Sequence, residues 1–197
     1  MSKPIITRRG EKVSLQTLPD RPFDKRQAAQ SGIDFDMDVV VEPVPGTVFQ
    51  KRASVSTNLP GYGSWEILCD EGVSGGGLDE APCPLAFFSV GVACCLATHI
   101  SGAIRNYDLK IESFRLEQRM RFHSTYRFAP INPEEKFGST KSLHTNVMVV
   151  SDEPAERIHK LVGAAEQACF ALNALTGQTQ ASSSVFHNGA QLAAHNP

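Results

Sequence analysis

The chain has 197 residues, is 41% hydrophobic and 20% charged, and sets 19 Lys and Arg against 21 Asp and Glu for a formal net charge of −2. That length is enough for one globular domain to bury a core without a metal or disulfide staple, since a domain of about 150 residues already hides about 68–70% of its unfolded surface. The near-neutral balance, with no block of like charges, excludes an electrostatic footprint for nucleic acid, and five cysteines, odd in number and outside any CxxC spacing, exclude a disulfide scaffold.

In chain order, the opening MSKPIITRRGEKVSLQ lacks the continuous apolar stretch and small-residue cleavage site of a secretory signal, so a cytoplasmic protein is expected. Residues 1–35 are polar and broken by Pro4, Pro19 and Pro22, and read as an arm that wraps the domain or stays partly disordered; the domain proper is expected over 36–197. Within it DMDVVVEPV, TVFQKRASVS and SWEILCD are strand-like and separated by Pro45-Gly46 and NLPGYG, which predicts an antiparallel meander of three strands. The Gly-rich EGVSGGGLDEAPCP follows as a loop, with Pro84 placed for the first turn of a helix.

Leu85 to Ile104 is almost wholly apolar and long enough to raise the question of a membrane span. Ser89, Thr98, His99 and Ser101 interrupt it, Gly91 and Gly102 weaken it, and no lysine cluster or aromatic belt flanks it, so it reads as a buried core helix and no membrane is expected. A helix apolar on every face needs cover on every side. A chain of this size can hardly surround it, which predicts a homodimer with this helix near its centre.

Lys110 to His123 alternates, with Phe114, Leu116, Met120 and Phe122 on one face and Arg115, Glu117, Arg119, Arg121 and His123 on the other. The arginines, with Arg127 just beyond, read as a solvated sheet face rather than an anion or partner patch. After a polar loop with Pro130 and Pro133, Leu143, Thr145, Val147 and Val149 mark the partner strand. SDEP at 151–154 offers Ser151 or Asp152 as an N-cap to a helix whose stripe of Ile158, Leu161, Val162, Ala165, Cys169 and Leu172 runs towards Gly177. The remainder can supply one short edge strand and a frayed tail.

Two cysteines lie in the two main helices among small neighbours, Cys95 in VACCLA and Cys169 in EQACFA. A free cysteine is commonly a small buried hydrophobe. The two longest helices of a small domain must pack together, however, and that could bring the thiols within reach as a peroxidatic and resolving pair.

GGGLDEAPCPLAFFSVGVACCLATHI and VVSDEPAERIHKLVGAAEQACFALNAL resemble, in order, the Gly-rich loop, Pro-rich turn and cysteine helix, and then the Ala-Glu-x-x-Cys helix, of the OsmC/Ohr family of osmotically inducible and organic hydroperoxide resistance proteins. The resemblance covers residues 36 to 190, and the 74-residue separation of Cys95 and Cys169 suits it. It implies an α+β, OsmC-like fold: antiparallel sheets around two central helices in an intertwined dimer. It also implies that Cys95 is the reactive cysteine and Cys169 the resolving one, leaving Cys69, Cys83 and Cys94 as packing residues.

One departure bears on activity. Family peroxidases carry a glutamate just after the proline that opens the cysteine helix and use it to hold an arginine against the reactive thiol, where this chain has Leu85 and Ala86. A thiol of pKa about 8.5 is only a few per cent thiolate at neutral pH, and the thiolate is the nucleophile. Candidates to favour the Cys95 thiolate are His99 at i+4, Arg52 on the preceding strand, and the Asp79-Glu80 pair acting in the lost glutamate's place. Cys95, His99 and Cys169 are weak grounds for zinc, and no cofactor is expected because sulfur itself carries the electrons. The expected function is a thiol-dependent peroxidase acting on organic hydroperoxides, favoured over hydrogen peroxide by Phe87, Phe88 and the apolar helix, and regenerated by an external dithiol reductant. The alternative is a non-catalytic dimer that binds an apolar small molecule.

Overall fold

Short strands joined through turns with left-handed glycines build the first sheet. The computed structural model describes residues 4–26, 32–124, 138–177 and 179–191, and the chain forms two compact units, Met1–Phe88 and Ser89–Pro197. In the first unit, β1 (Ile6–Arg9), β2 (Met37–Pro43), β3 (Lys51–Thr57) and β4 (Ser64–Cys69) make an antiparallel sheet in the order β1-β4-β3-β2. Gly46 and Gly61, with φ of 81° and 82°, supply the left-handed backbone that their turns need.

The predicted meander is present, with two differences. β3 begins at Lys51 rather than Thr47, because residues 44–50 close on themselves: Val44 N–H donates to Gln50 O at 3.0 Å, and the Thr47 hydroxyl donates to Val44 O at 2.8 Å. The expected N-terminal arm contributes β1, paired along the outer edge of β4 from Ile6 opposite Ile67 to Arg9 opposite Ser64. The Arg8 guanidinium sits 6.0 Å from the Trp65 ring centroid, an attraction that helps fix so short a strand.

α1 runs from Pro84 to Asn106, starting in the first unit and continuing from Ser89 in the second, and begins as its leading proline predicts. Among the described residues α1 alone is long and apolar enough to cross a membrane by length and composition. Its buried positions are Val92, Leu96 and Ile100, one stripe at i, i+4 and i+8, while Leu85 and Val90 remain exposed. The chain therefore covers one face of α1 and, as expected of a chain too small to surround it, leaves the rest of the circumference open.

β5 (Ile111–Ser124) and β6 (Gly138–Ser151) pair antiparallel, setting Phe114 opposite Val149, Leu116 opposite Val147 and Met120 opposite Leu143. This is the two-faced strand pair that the alternation predicts. Arg115, Arg119 and Arg121 lie on the exposed face, where Arg115 pairs with Glu117 at 2.9 Å; Arg127, Pro130 and Pro133 lie outside the described residues.

The last helical stretch differs most from expectation. It is two helices, α2 (Ala155–Ala168) and α3 (Phe170–Thr176), divided at Cys169, whose φ of −75° and ψ of 107° are extended. Neither Ser151 nor Asp152 caps α2: Pro154 holds the N-cap position without a side-chain hydrogen bond. Ser151 is still in β6, where its hydroxyl donates to Lys110 O and accepts the Glu153 N–H, each at 2.9 Å. Beyond α3 a two-residue hairpin, β7 (Phe186–His187) and β8 (Ala190–Gln191), replaces the expected single edge strand. Asn188 and Gly189, with φ of 50° and 82°, give it the left-handed pair that a tight hairpin turn requires.

Candidate active site

The core of the second unit is Leu96 and Ile100 from α1, Ala165 from α2, and Cys169, with Cys95, Ile104, Phe114, Leu116, Val147, Ala171 and Leu172 packed around them. Both cysteines of the expected pair thus belong to one apolar cluster between α1, the α2–α3 break and the inner face of the β5–β6 pair. Cys169 is fully buried and Cys95 is half-buried; neither is in a disulfide.

At the helix break the Cys169 N–H donates to Glu166 O at 3.2 Å and its carbonyl accepts the Asn173 N–H at 2.9 Å. The Asn173 side-chain amide donates to Gln167 O at 2.8 Å and so satisfies a carbonyl that the break leaves without its helical partner. Burial pushes the Cys169 thiol pKa up, and the neighbouring Cys95 thiol acts in the same direction by hydrogen bond and charge. The backbone N–H groups of Leu172 and Ala171 at the head of α3 oppose them. Burial and the neighbouring thiol therefore favour the protonated form of Cys169 beside Cys95.

Cys94, about 100° further around α1, is exposed. His99, one turn beyond Cys95, is half-buried and stands edge-on to Phe170, with ring centroids 5.4 Å apart at 66°. The structure therefore gathers Cys95, Cys169 and, through the residue after Cys169, His99. Gln118, which the sequence reading passed over, faces inward on β5; its amide donates to Ser89 O at 3.1 Å and its carbonyl accepts from the Thr145 hydroxyl at 3.5 Å. A glutamine at an apolar phase of an alternating strand was the available signal.

Arg52 lies in the first unit, on β3, where its Nη1 donates to Glu66 Oε1 at 2.6 Å. With Gln50, Leu68 and Glu80 the pair lines a cavity of about 570 Å³ in that unit. Of the two acids offered in place of the family glutamate, Glu80 is engaged there, its carboxylate accepting from the Gln50 amide at 2.8 Å, while Asp79 lies in the preceding loop, its backbone N–H donating to Glu71 O at 3.0 Å. Glu66 was also missed. The turn centred on residues 58–63 sets Arg52 opposite Leu68, which puts Glu66 diagonally across on the same face, within reach of a long side chain.

Asp70 is a further buried group outside the expected set. Burial raises its pKa, but the backbone N–H groups of Glu71 and Glu80, the Gln50 amide and the Leu78 N–H more than offset this and hold the carboxyl below its ordinary 3.8. Among the described residues no three His, Cys, Asp or Glu side chains converge as a metal site.

Residues 76–184 match the family model described as OsmC-like protein. Among solved structures, the OsmC-like protein of Mycoplasma pneumoniae is similar with a TM-score of 0.51 at 14% identity, over 74% of this chain and 89% of its own. An OsmC-like hydroperoxide resistance protein from Jannaschia sp. CCS1 gives a TM-score of 0.48 at 20% identity, over 80% of this chain and 97% of its own. The organic hydroperoxide resistance protein OsmC of Legionella pneumophila gives 0.49 at 16%, over 71% and 90%. No curated protein sequence matches the chain.

Proposed function

Because the chain belongs to the OsmC-like protein family, we propose that it is a thiol-dependent peroxidase that reduces organic hydroperoxides through Cys95 and Cys169. The observation that carries this reading is the pairing of the two free thiols in one apolar cluster, with Cys169 buried at a helix break. Cys95, the more exposed sulfur, attacks the peroxide oxygen as a thiolate. The O–O bond breaks, the alcohol leaves, and a sulfenic acid stands on Cys95. Cys169 displaces its oxygen as water and forms the disulfide, which an external dithiol reduces.

Leu96, Ile104 and Leu116 beside the pair give the peroxide an apolar environment, which favours an organic substrate over hydrogen peroxide. The protein is a cytoplasmic homodimer in this reading, the second copy covering the apolar faces of α1 that carry Leu85 and Val90.

The test is consumption of cumene hydroperoxide with dithiothreitol by the wild type and by Cys95→Ser and Cys169→Ser. Cys95→Ser abolishes turnover; Cys169→Ser permits one oxidation of Cys95 and forms no Cys95 disulfide with residue 169. Absence of turnover in the wild type, with both thiols still titrating as free, overturns the peroxidase. A second reading would then stand, a non-catalytic dimer that binds an apolar small molecule. Leu85 and Ala86 in the place of the family glutamate favour it.

A further inference from the structure

The loop that joins β4 to α1 returns to its own starting point. The Asp79 N–H donates to Glu71 O at 3.0 Å and the Asp70 N–H donates to Pro82 O at 3.3 Å, so the outgoing and returning limbs run antiparallel. The bond between Asp70 and Pro82 brings their chain neighbours, Cys69 and Cys83, together at the foot of the loop. A disulfide joins Cα atoms roughly 4.4–6.8 Å apart, so it needs just such close neighbours.

The closure is held from within. The Asp70 carboxylate accepts the N–H groups of Glu71 at 2.8 Å, Leu78 at 3.3 Å and Glu80 at 3.2 Å. At Gly77 a Cβ would stand 1.9 Å from the Glu71 carbonyl oxygen, so only glycine lets the limbs approach this closely. Both cysteines are free and half-buried. Burial raises the Cys69 pKa; Lys51 opposes this, and the charges of Glu71, Cys83 and Asp70 add to it, which places the Cys83 sulfur within electrostatic range.

We propose that Cys69 and Cys83 are a second dithiol site, which a hydroperoxide oxidises to an intramolecular disulfide that fastens the head of α1 to the end of β4. One sulfur attacks a peroxide oxygen, the O–O bond breaks, and the alcohol leaves with a proton. The other sulfur then displaces the resulting sulfenic oxygen as water while the S–S bond forms. Two thiols and one hydroperoxide thus give one disulfide, one alcohol and one water. The site goes beyond the peroxidase reading and does not depend on it, since the hydroperoxide here is simply the oxidant.

The experiment uses the full chain with Cys94→Ser, Cys95→Ser and Cys169→Ser, which leaves Cys69 and Cys83 as its only thiols. Treated with cumene hydroperoxide, it loses two hydrogens in intact mass and both titratable thiols, stays a single covalent chain, and is restored by dithiothreitol. Cleavage after Glu71 and Glu80 then releases the Cys69 and Cys83 peptides joined. Two thiols that stay free, a sulfinic acid on either without a link, or a link between chains would each overturn the proposal. Should circular dichroism find that variant unfolded, the wild type is oxidised and mapped with the same cleavages. The Cys69–Cys83 peptide supports the proposal and its absence overturns it, while the state of Cys95 and Cys169 in the same digest reports separately on the peroxidase.

Discussion

In the first unit the buried side chains are polar, Gln50, Ser56, Thr57, Ser64 and Asp70 with Ala81 beside them; in the second they are Val92, Leu96, Ile100, Leu161, Ala165 and Cys169. Equal burial therefore has different physical causes in the two. A buried carboxylate is tolerable only when donors converge on it, and Asp70 has four: three backbone N–H groups and the Gln50 amide. No buried side-chain nitrogen or oxygen among the described residues lacks a partner. In the second unit close packing stabilises the cluster, and a thiol can join it as a small apolar group. The same burial that makes Cys169 a good core residue keeps its proton on, so packing opposes the nucleophilic step that the proposed redox role asks of it.

The largest effect that would break this contrast comes from Ile100, fully buried in the second unit. Ile100→Ala should cost about 2–5 kcal/mol and Ile100→Val about 0.5–1.5 kcal/mol, read from urea midpoints. A loss no larger than that of a surface substitution, about 0.5 kcal/mol, would mean that this cluster is not the unit's core.

Next in size, because it is expressed only in acid, is the contribution of Asp70. Its folded pKa lies below its ordinary 3.8, so the unfolded chain binds the proton more tightly. The stability it contributes is fully present above pH 3.8, declines as the pH falls below that value, and is gone beneath the folded pKa. Unfolding midpoints of wild type and Asp70→Asn across this range should differ in slope, the variant lacking this acid-dependent loss. Glu153 supplies the control from the other unit. Its pKa is lowered chiefly by the Lys110 N–H, with Arg157 assisting against desolvation, so its own decline starts below 4.5 and persists in Asp70→Asn. Identical acid slopes in wild type and Asp70→Asn would remove the polar half of the contrast.

These differences also explain what was legible in the sequence. The β5–β6 pair could be read because one face is apolar and the period of two runs unbroken from Phe114 to Phe122. That Cys95 and Cys169 would share one cluster could be read because the segments that carry them are the longest apolar ones and must pack together. The break at Cys169 could not: QACFALNAL holds neither Gly nor Pro, and only Asn173, whose amide satisfies Gln167 O, hints at it. β1 was hidden because ITRR has no apolar alternation of its own and exists as a strand through its pairing with β4. The role of Asp70 depends on a loop returning to its start, and composition does not encode which N–H groups will meet a carboxylate.

The smallest stability change is expected at the Arg52–Glu66 pair, whose side chains are 40% and 28% exposed. A partly solvated ion pair of this kind contributes about 0–1 kcal/mol, so Arg52→Met should move the urea midpoint little. That small effect makes the variant informative about chemistry. If cumene hydroperoxide turnover falls while the midpoint holds, the guanidinium takes part in the reaction. If turnover is unchanged, Arg52 is an ion pair on a strand face, and the thiolate of Cys95 must be favoured from within the second unit, where His99 is the titratable side chain one turn away on the same helix.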